Sequence, residues 1–184
     1  MTITFDDVVR FHGHACPGLA IGFRMAQAGV EALSAIRSSD EELVAIVENN
    51  SCGVDAVQCV TGCTFGKGNL IFRDWGKLAY TFYSRSSRRG VRITFQRNAV
   101  FEGLRDDREA FITWVLEAPA AQILQTQWGA IAEPEPAQIY RSIPCDRCGE
   151  LVMETRLQHH NGMLLCIPCA QQHGMQTDIL SDEQ

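Results

Sequence analysis

Four cysteines near the C-terminus of this chain have a spacing that is typical of zinc sites. They form two Cys-x2-Cys pairs with 17 residues between them: Cys145, Cys148, Cys166 and Cys169. Two thiolates three positions apart on a tight turn can reach one tetrahedral ion, and two such turns complete a closed shell of four thiolates. We therefore predict a structural zinc site here, in preference to a rubredoxin-like iron site or a pair of disulfides.

The residues around these cysteines predict a treble-clef zinc finger. Asn161-Gly162 suits a type I′ turn and would join strands at 151–155 and 163–165. A short helix at 170–173 would follow the second pair of cysteines. A unit of about 40 residues buries too little apolar surface to fold alone, so the metal is expected to hold it together.

A Glu-Pro-Glu-Pro segment at 133–136 marks the clearest domain boundary. Alternating prolines stop both helix and sheet and favour an extended, stiff connector. We predict a core domain at 1–132, a Pro-rich linker at 133–138 and a zinc-finger domain at 139–184. The last residues of the chain, 177–184, are expected to be frayed.

The composition indicates a globular protein without a membrane segment. The chain has 184 residues, of which 46% are hydrophobic, but it has no run of about 20 apolar residues. The N-terminus lacks the basic start and apolar centre of a signal peptide, so we predict a cytoplasmic protein. In that reducing compartment, Cys-x2-Cys pairs favour metal or redox chemistry over structural disulfides.

The charge disfavours broad binding to nucleic acid. The net charge is −6 and the isoelectric point is near 5.3, whereas affinity for phosphate backbones comes from Lys and Arg. Arg85, Arg88 and Arg89 form the best candidate for a local basic patch. Because they lie among serines between two strand-like segments, we interpret them as a solvated hairpin tip.

The pattern of apolar residues in the core domain predicts an α+β fold. Helices are expected where apolar residues recur every three or four positions: 4–13, 17–36, 54–60 and 106–127, the last broken or kinked at Pro119. Strands are expected at a Val/Ile-rich run and at two alternating segments: 43–47, 77–83 and 91–96. The irregular mixture of helices and strands favours a mixed sheet.

Two histidines and a cysteine stand close together near the N-terminus. His12, His14 and Cys16 lie within five residues, just ahead of the helix predicted at 17–36. A helix N-terminus favours negative charge, so a thiol there is primed to bind a metal or to attack an electrophile.

A second segment carries three more cysteines around the helix predicted at 54–60. Cys52 precedes this helix and Cys63 follows it, whereas Cys59 lies on it and is expected to pack in the core. We predict that His14, Cys16 and Cys63 form a metal site with an open coordination position, as catalytic metals need. Mixed His/Cys sets of this kind suit zinc, iron, nickel or copper.

The glycines that follow Cys63 do not form a phosphate-binding loop. Only three residues separate Gly62 from the Gly66-Lys67 pair where four are required, and Gly68 stands where Ser or Thr should bind magnesium. Lys67 therefore either binds another anion or faces solvent.

Three blocks of the sequence carry a family resemblance: His12-Gly13-His14-Ala15-Cys16-Pro17-Gly18, Cys52-Gly53-Val54-Asp55-Ala56 and Thr61-Gly62-Cys63-Thr64-Phe65-Gly66-Lys67. They resemble the FmdE-like family, which is related to formylmethanofuran dehydrogenase, over roughly residues 5–96. The resemblance implies a mixed five-stranded sheet flanked by helices in a thioredoxin-like arrangement, and homodimers whose partners exchange elements. It also implies a metal-bearing active site and, as in some members, a C-terminal treble-clef zinc finger.

On this resemblance, His14, Cys16 and Cys63 are the first candidates for the active site, and Cys52 and His12 are the second. The metal there would be zinc, iron or nickel. The implied role is in anaerobic one-carbon or redox metabolism related to methanogenesis, accessory to a molybdenum or tungsten formylmethanofuran dehydrogenase. No pterin site or iron–sulfur ligand run is apparent, so the dehydrogenase chemistry itself is not expected.

Two other functions stay open from the sequence. One is a non-catalytic adaptor whose zinc finger docks a partner protein or nucleic acid while the N-terminal cysteines only pack. The other is delivery of metal or sulfur to another enzyme, which would use the same N-terminal site with a labile ion. The sequence names neither a substrate nor a reaction.

Overall fold

The computed structural model of the protein describes residues 3–172. The chain divides into two compact units, and the division falls between Ala137 and Gln138. No helix among the described residues is long and apolar enough to cross a bilayer. The predicted frayed tail at 177–184 and the end of the helix predicted at 170–173 lie outside the described residues.

A mixed five-stranded sheet forms the centre of the first unit. Its strands are β1 (Leu43–Val47), β2 (Leu70–Phe72), β3 (Ala79–Ser84), β4 (Arg89–Phe95) and β5 (Leu124–Gly129). They lie in the order β2-β1-β3-β4-β5, in which β2 is parallel to β1 and the other neighbours are antiparallel. The predicted α+β fold with a mixed sheet of about five strands is confirmed.

Helices complete the first unit: α1 (Phe5–His12), α2 (Pro17–Ala32), α3 (Gly53–Thr61), α4 (Arg108–Glu117) and α5 (Ala120–Ile123). α1 has the predicted limits because both of its ends are capped. The Thr4 side chain accepts a hydrogen bond from the Asp7 amide, and the Asp7 carboxylate accepts one from the Thr4 amide. Gly13 ends the helix with φ 100°, a left-handed conformation that favours glycine.

α2 begins where predicted but stops early. Pro17 occupies its first turn, where the missing N–H group has no partner to lose. The helix ends at Ala32 rather than near residue 36, because Ser34 takes a left-handed conformation with φ 48°.

α2 and α3 approach each other closely through glycines. A Cβ atom on Gly22 would lie only 2.3 Å from the Cα atom of Gly53, so no side chain fits between the two backbones. Towards the start of α2, a Cβ atom on Gly18 would lie 3.6 Å from the Cβ atom of Cys52. The N-terminal turns of the two helices therefore lie side by side.

The helices cover one face of the sheet. Side chains alternate along a strand, so Ala45 and Val47 join the helix-facing core while Ile46 and Glu48 point the other way. Tyr80 of β3 lies in the same core and is fully buried. The opposite face of the sheet carries polar and charged residues as well as apolar ones.

The helix predicted at 106–127 is wrong at its C-terminal end. α4 stops before Pro119, α5 makes a single turn, and Leu124–Gly129 form strand β5 against β4. The free edge of β4 supplies hydrogen-bond partners, and Thr126 and Trp128 favour strands, so pairing overrides the local helical pattern. The three-residue strand β2 also lacks a predicted counterpart, because it is too short to show a period.

Arg85 is not the solvated turn residue that the sequence predicts. Its side chain is only 20% exposed and lies 3.6 Å from the carboxylate of Glu133. It also donates hydrogen bonds to the backbone carbonyls of Pro134, at 2.7 Å, and Glu135, at 3.1 Å. Arg85 therefore anchors the first residues of the predicted linker to the sheet.

Two hairpins build the second unit: β6 (Ser142–Pro144) with β7 (Leu151–Met153), and β8 (Leu157–His160) with β9 (Met163–Cys166). Asn161 and Gly162 form the turn between β8 and β9 with φ 47° and 83°, as a type I′ turn requires. The predicted pairing of 151–155 with 163–165 is wrong, because a 3₁₀ turn at Glu154–Arg156 separates β7 from β8. Residues 167–172 are helical, so the helix begins earlier than predicted.

We expect the substitution Gly22→Ala to destabilise the first unit by about 1–3 kcal/mol, because its new Cβ would overlap the α3 backbone. The measurement is the midpoint of urea unfolding. Gly18→Ala in the same helix is the matched control, since its Cβ would meet Cys52 at an ordinary 3.6 Å and alanine favours a helix. A Gly22→Ala midpoint equal to that of the wild type would contradict the close packing of α2 on α3.

Candidate metal centres

Two groups of potential metal ligands occur among the described residues. In the first unit, the ligand atoms of His12, His14 and Cys16 all lie within 4.8 Å of one another. In the second unit the same is true of four thiols: Cys145, Cys148, Cys166 and Cys169. Both groups consist of residues that the sequence predicts as ligands.

The first group lies where α1 ends and α2 begins. His12 is the last residue of α1, Gly13 turns the chain, and Cys16 caps the N-terminus of α2. The imidazole rings of His12 and His14 lie 4.6 Å apart between centroids. The Sγ atom of Cys16 accepts a hydrogen bond from the Leu19 amide at 3.3 Å, which fixes the thiol at the positive end of the helix.

Asp55 of α3 fixes the ring of His12. Its Oδ2 atom lies 2.7 Å from Nδ1 of His12. An ionised carboxylate can only accept a hydrogen bond, so the ring proton lies on Nδ1 and Nε2 keeps a lone pair. Nε2 is buried, and it has no hydrogen-bond partner within the described part of the chain. Such an unpaired buried atom costs about 1–3 kcal/mol unless a ligand binds it.

Asp55 is a site residue that the sequence does not predict. It lies in the first turn of α3, where an acidic side chain is common because it interacts favourably with the helix dipole. Its contact with His12 depends on how α1 packs against α3, which no local pattern shows. The one available signal is its place three residues after Cys52 in the second motif block.

Cys52 lies beside this group. It occupies the N-cap position of α3 and makes no side-chain capping bond there. Burial raises the pKa of the Cys52 thiol, and the neighbouring Cys16 thiol raises it further. Cys52 is not one of the residues whose ligand atoms all lie within 4.8 Å, so it is an adjacent residue rather than a member of the group.

Cys63 lies apart from the first group. Its thiol is fully buried and donates a hydrogen bond to the carbonyl of Leu43 at 3.2 Å, and burial raises its pKa. The nine residues of α3 span about 13 Å and carry Cys63 to the far end of that helix. The structure therefore does not bring Cys63 to His14 and Cys16. Cys59 packs against the core, as expected.

The ammonium group of Lys67 binds the protein backbone. Its Nζ atom donates to the carbonyls of Ser38 and Ser39 at 3.4 Å and to that of Asp40 at 3.2 Å. An ammonium group has three N–H donors, so these contacts use all of them. Lys67 thus stabilises a loop, and neither of the two predicted roles describes it.

The four thiols of the second unit fit a tetrahedral zinc ion. The Sγ atoms of Cys148 and Cys166 lie 4.0 Å apart. A tetrahedral site with Zn–S bonds of about 2.3 Å places its sulfur atoms about 3.8 Å apart, whereas a disulfide needs about 2.05 Å. All eight cysteines of the chain are free thiols, so the disulfide interpretation is not supported.

Hydrogen bonds within this cluster prepare it for a cation. Backbone amides of Cys148 and Cys166 directed at the Cys145 thiol lower its pKa to about 6. The thiol of Cys169 behaves in the opposite way, since its hydrogen bond with Cys166 and its burial raise the pKa to about 12. The four thiols compete for negative charge in one place, and a bound dication removes that competition.

The fold and the cysteine cluster define the class of this protein, an α+β metal-binding protein with a C-terminal four-cysteine zinc finger. Residues 11–133, about two thirds of the chain, match the family described as "FmdE, Molybdenum formylmethanofuran dehydrogenase operon". Residues 138–173 match the family described as "Prokaryotic dksA/traR C4-type zinc finger". The chain therefore belongs to the FmdE family, which confirms the resemblance seen in its sequence motifs.

Two similar proteins extend this comparison. A protein from Archaeoglobus fulgidus named "Probable S-adenosyl-L-methionine-binding protein" is 33% identical over 189 residues, which cover 87% of this chain and 50% of that protein. The chain thus spans about half the length of this relative. The crystal structure of an FmdE-like protein of tungsten formylmethanofuran dehydrogenase, from Syntrophus aciditrophicus, has a TM-score of 0.72 at 25% identity, over 91% of this chain and 90% of that one.

We expect Cys148→Ser to remove one equivalent of zinc per chain and to unfold the second unit, because a small unit with so little core depends on its metal. Zinc content by elemental analysis and hydrogen exchange of residues 138–172 provide the measurements. Cys59→Ser is the matched control, since this thiol packs against the core and belongs to neither group of ligands. An unchanged zinc content in the Cys148→Ser protein would contradict the assignment.

Proposed function

We propose that the N-terminal domain binds a transition-metal ion through Nε2 of His12, a ring nitrogen of His14 and Sγ of Cys16. The observation that carries this proposal is the buried Nε2 atom of His12, which has a lone pair and no partner among the described residues. A histidine that ligates a metal usually donates its other ring N–H to a carboxylate, as His12 does to Asp55.

The ligand set supports an accessible ion rather than a purely structural one. Two imidazole nitrogens and one thiolate suit zinc, iron or nickel. Three protein ligands leave one position of a four-coordinate ion for water or a substrate, whereas a fourth thiolate would close the site. Cys52 lies next to Cys16 but outside the 4.8 Å group, and His14 is exposed, so we propose an open site.

We propose further that this site serves anaerobic one-carbon or redox metabolism, in a protein accessory to a molybdenum or tungsten formylmethanofuran dehydrogenase. The description of the matched family and the name of the structurally similar protein from Syntrophus aciditrophicus support this role. The tagged protein is expected to retain the dehydrogenase when it is recovered from anaerobic cells that contain the enzyme. Recovery without the enzyme would remove this part of the proposal and leave the metal site unaffected.

We expect His14→Ala and Cys16→Ala each to remove one metal equivalent per chain from the full-length protein purified without oxygen. Each substitution deletes one of three ligands, whereas the four-thiol cluster keeps its ion and serves as an internal reference. Elemental analysis of metal per chain is the measurement.

Cys63→Ala is the matched control for this experiment. Its thiol is buried, as Cys16 is, but it donates to a backbone carbonyl and lies outside the group. Its metal content is expected to equal that of the wild type. Loss of the ion from Cys63→Ala with retention in Cys16→Ala would show that the site has been assigned to the wrong residues.

Asp55→Asn is expected to weaken metal binding by about 10–100-fold without removing a ligand, because the amide no longer holds the Nδ1 proton and the ring orientation of His12. The measurement is the affinity of the metal-free first site for Zn²⁺ by calorimetric titration. Asp6→Asn makes the same chemical change at an exposed position of α1 and is the control. Equal affinities of the two variants would exclude a positioning role for Asp55.

A further inference from the structure

A cavity of about 430 Å³ opens on the sheet face opposite the helices. Its floor is a row of laterally paired residues, one from each of four neighbouring strands: Ile46, Thr81, Arg92 and Gln127. The chain after β5 forms one side, where Ile131 packs over Gly90 of β4. The metal-ligand group lies at helix ends on the other side of the sheet, so this cavity is a separate site.

A buried ion pair lies in the floor of this cavity. Nε of Arg92 is 2.7 Å from Oε1 of Glu48, and Nη2 is 2.8 Å from Oε2. Glu48 is 2% exposed, and Arg92 is 29% exposed. Burying such a pair is costly and adds little to stability, so its presence points to a role other than holding the fold together. Within the described residues, Nη1 of Arg92 makes no hydrogen bond and remains available to a ligand.

Two tryptophans line the same cavity. Trp75 is 54% exposed and Trp128 is 49% exposed, so each presents a large aromatic surface to solvent. The Arg73 guanidinium lies 5.2 Å from the ring centroid of Trp75, and the Arg89 guanidinium lies 4.3 Å from that of Trp128. Neither arginine forms an ion pair with a carboxylate of the described residues.

The lining is basic although the chain as a whole is acidic. The net charge of the protein is −6, but Arg73 and Arg92 outnumber the one lining carboxylate, that of Glu48. A concave surface with excess positive charge attracts anions. Arginine binds phosphate or carboxylate through parallel hydrogen bonds, and the face of a tryptophan ring stacks on a planar ring.

We propose that this cavity binds a planar heteroaromatic ligand that carries a phosphate or carboxylate group, which is the chemistry of a mononucleotide. The ring stacks on Trp75 or Trp128, and the anionic group binds Arg73 and Nη1 of Arg92. The exposed Gln127 amide, which lies opposite Arg92 in the sheet, forms hydrogen bonds with the polar edge of the ring. The volume lies within the range of about 300–1,000 Å³ found for small-molecule sites.

The floor of the cavity favours a small ligand over a protein surface as the occupant. The cores of protein interfaces are depleted in charged residues, whereas a glutamate–arginine pair lies at the base of this cavity. Small-molecule sites instead combine aromatic walls with a few placed polar groups.

The test is calorimetric titration of the full-length protein with AMP, FMN and folate, which are planar ring systems carrying phosphate or carboxylate. At least one is expected to bind saturably. Adenosine and inorganic phosphate each lack half of the recognised chemistry and are expected to bind at least about tenfold more weakly than AMP if AMP is the ligand. Absence of saturable binding by all three ring compounds at millimolar concentration would overturn the proposal.

Substitutions locate the binding. Arg73→Gln and Trp75→Ala are each expected to weaken the affinity of the bound probe by about tenfold, because each removes one recognised contact. Arg156→Gln removes the same charge from an exposed position of the second unit and is expected to have no effect. Equal affinities for Arg73→Gln, Trp75→Ala and the wild type would place the ligand elsewhere and overturn the proposal.

Two further measurements separate this cavity from the other functions of the surface. If Trp75→Ala converts a dimer into monomers, as seen by sedimentation, and leaves probe binding unchanged, the face is an interface between copies of the chain and the proposal fails. Cys16→Ala is expected to retain full affinity for the probe, because the metal-ligand group lies on the other side of the sheet. The two proposals can therefore fail independently.

Discussion

The close contact between α2 and α3 is the constraint on which the first domain depends. Gly22 and Gly53 remove the side chains at the point of contact, so the two backbones meet directly. The N-terminal turns of both helices then lie together, and each directs unpaired N–H groups towards the same region. This packing places Cys16 at one helix end and allows Asp55, at the other, to reach His12. The metal-ligand group is thus a product of helix packing and not of the His-x-His-x-Cys motif alone.

The two groups of ligands differ in how they relate to folding. The four thiols of the second unit lie at the centre of its small apolar cluster, in which Leu165 is the largest fully buried side chain. A unit of that size has little other source of stability, so its metal and its fold are coupled. The first domain has a large core of its own and gains only the pairing of Nε2 of His12 from a metal. An ion there can therefore be exchanged or react without loss of the fold.

The elements that the sequence predicts well are those whose limits are set locally. Thr4 and Gly13 cap α1, and the Val/Ile-rich run at Leu43–Val47 is a strand, because neighbouring residues alone determine these features. β5 could not be predicted in the same way, since its partner is the edge of β4 and its own sequence also suits a helix. The sequence misplaces Cys63 because nearness in sequence to Cys52 does not survive the length of α3.

The hydrogen bonds of Arg85 redefine where the first domain ends. This side chain holds the carbonyls of Pro134 and Glu135, and Glu41 accepts a hydrogen bond from the amide of Ala137 at 2.9 Å. The prolines keep this segment extended, so it lies along the domain as its final strap rather than as a free tether. A fragment cut at residue 132 would keep the arginine and lose its acceptors. Truncation at the proline motif therefore removes part of a folded surface, and the smallest intact first domain extends to Ala137.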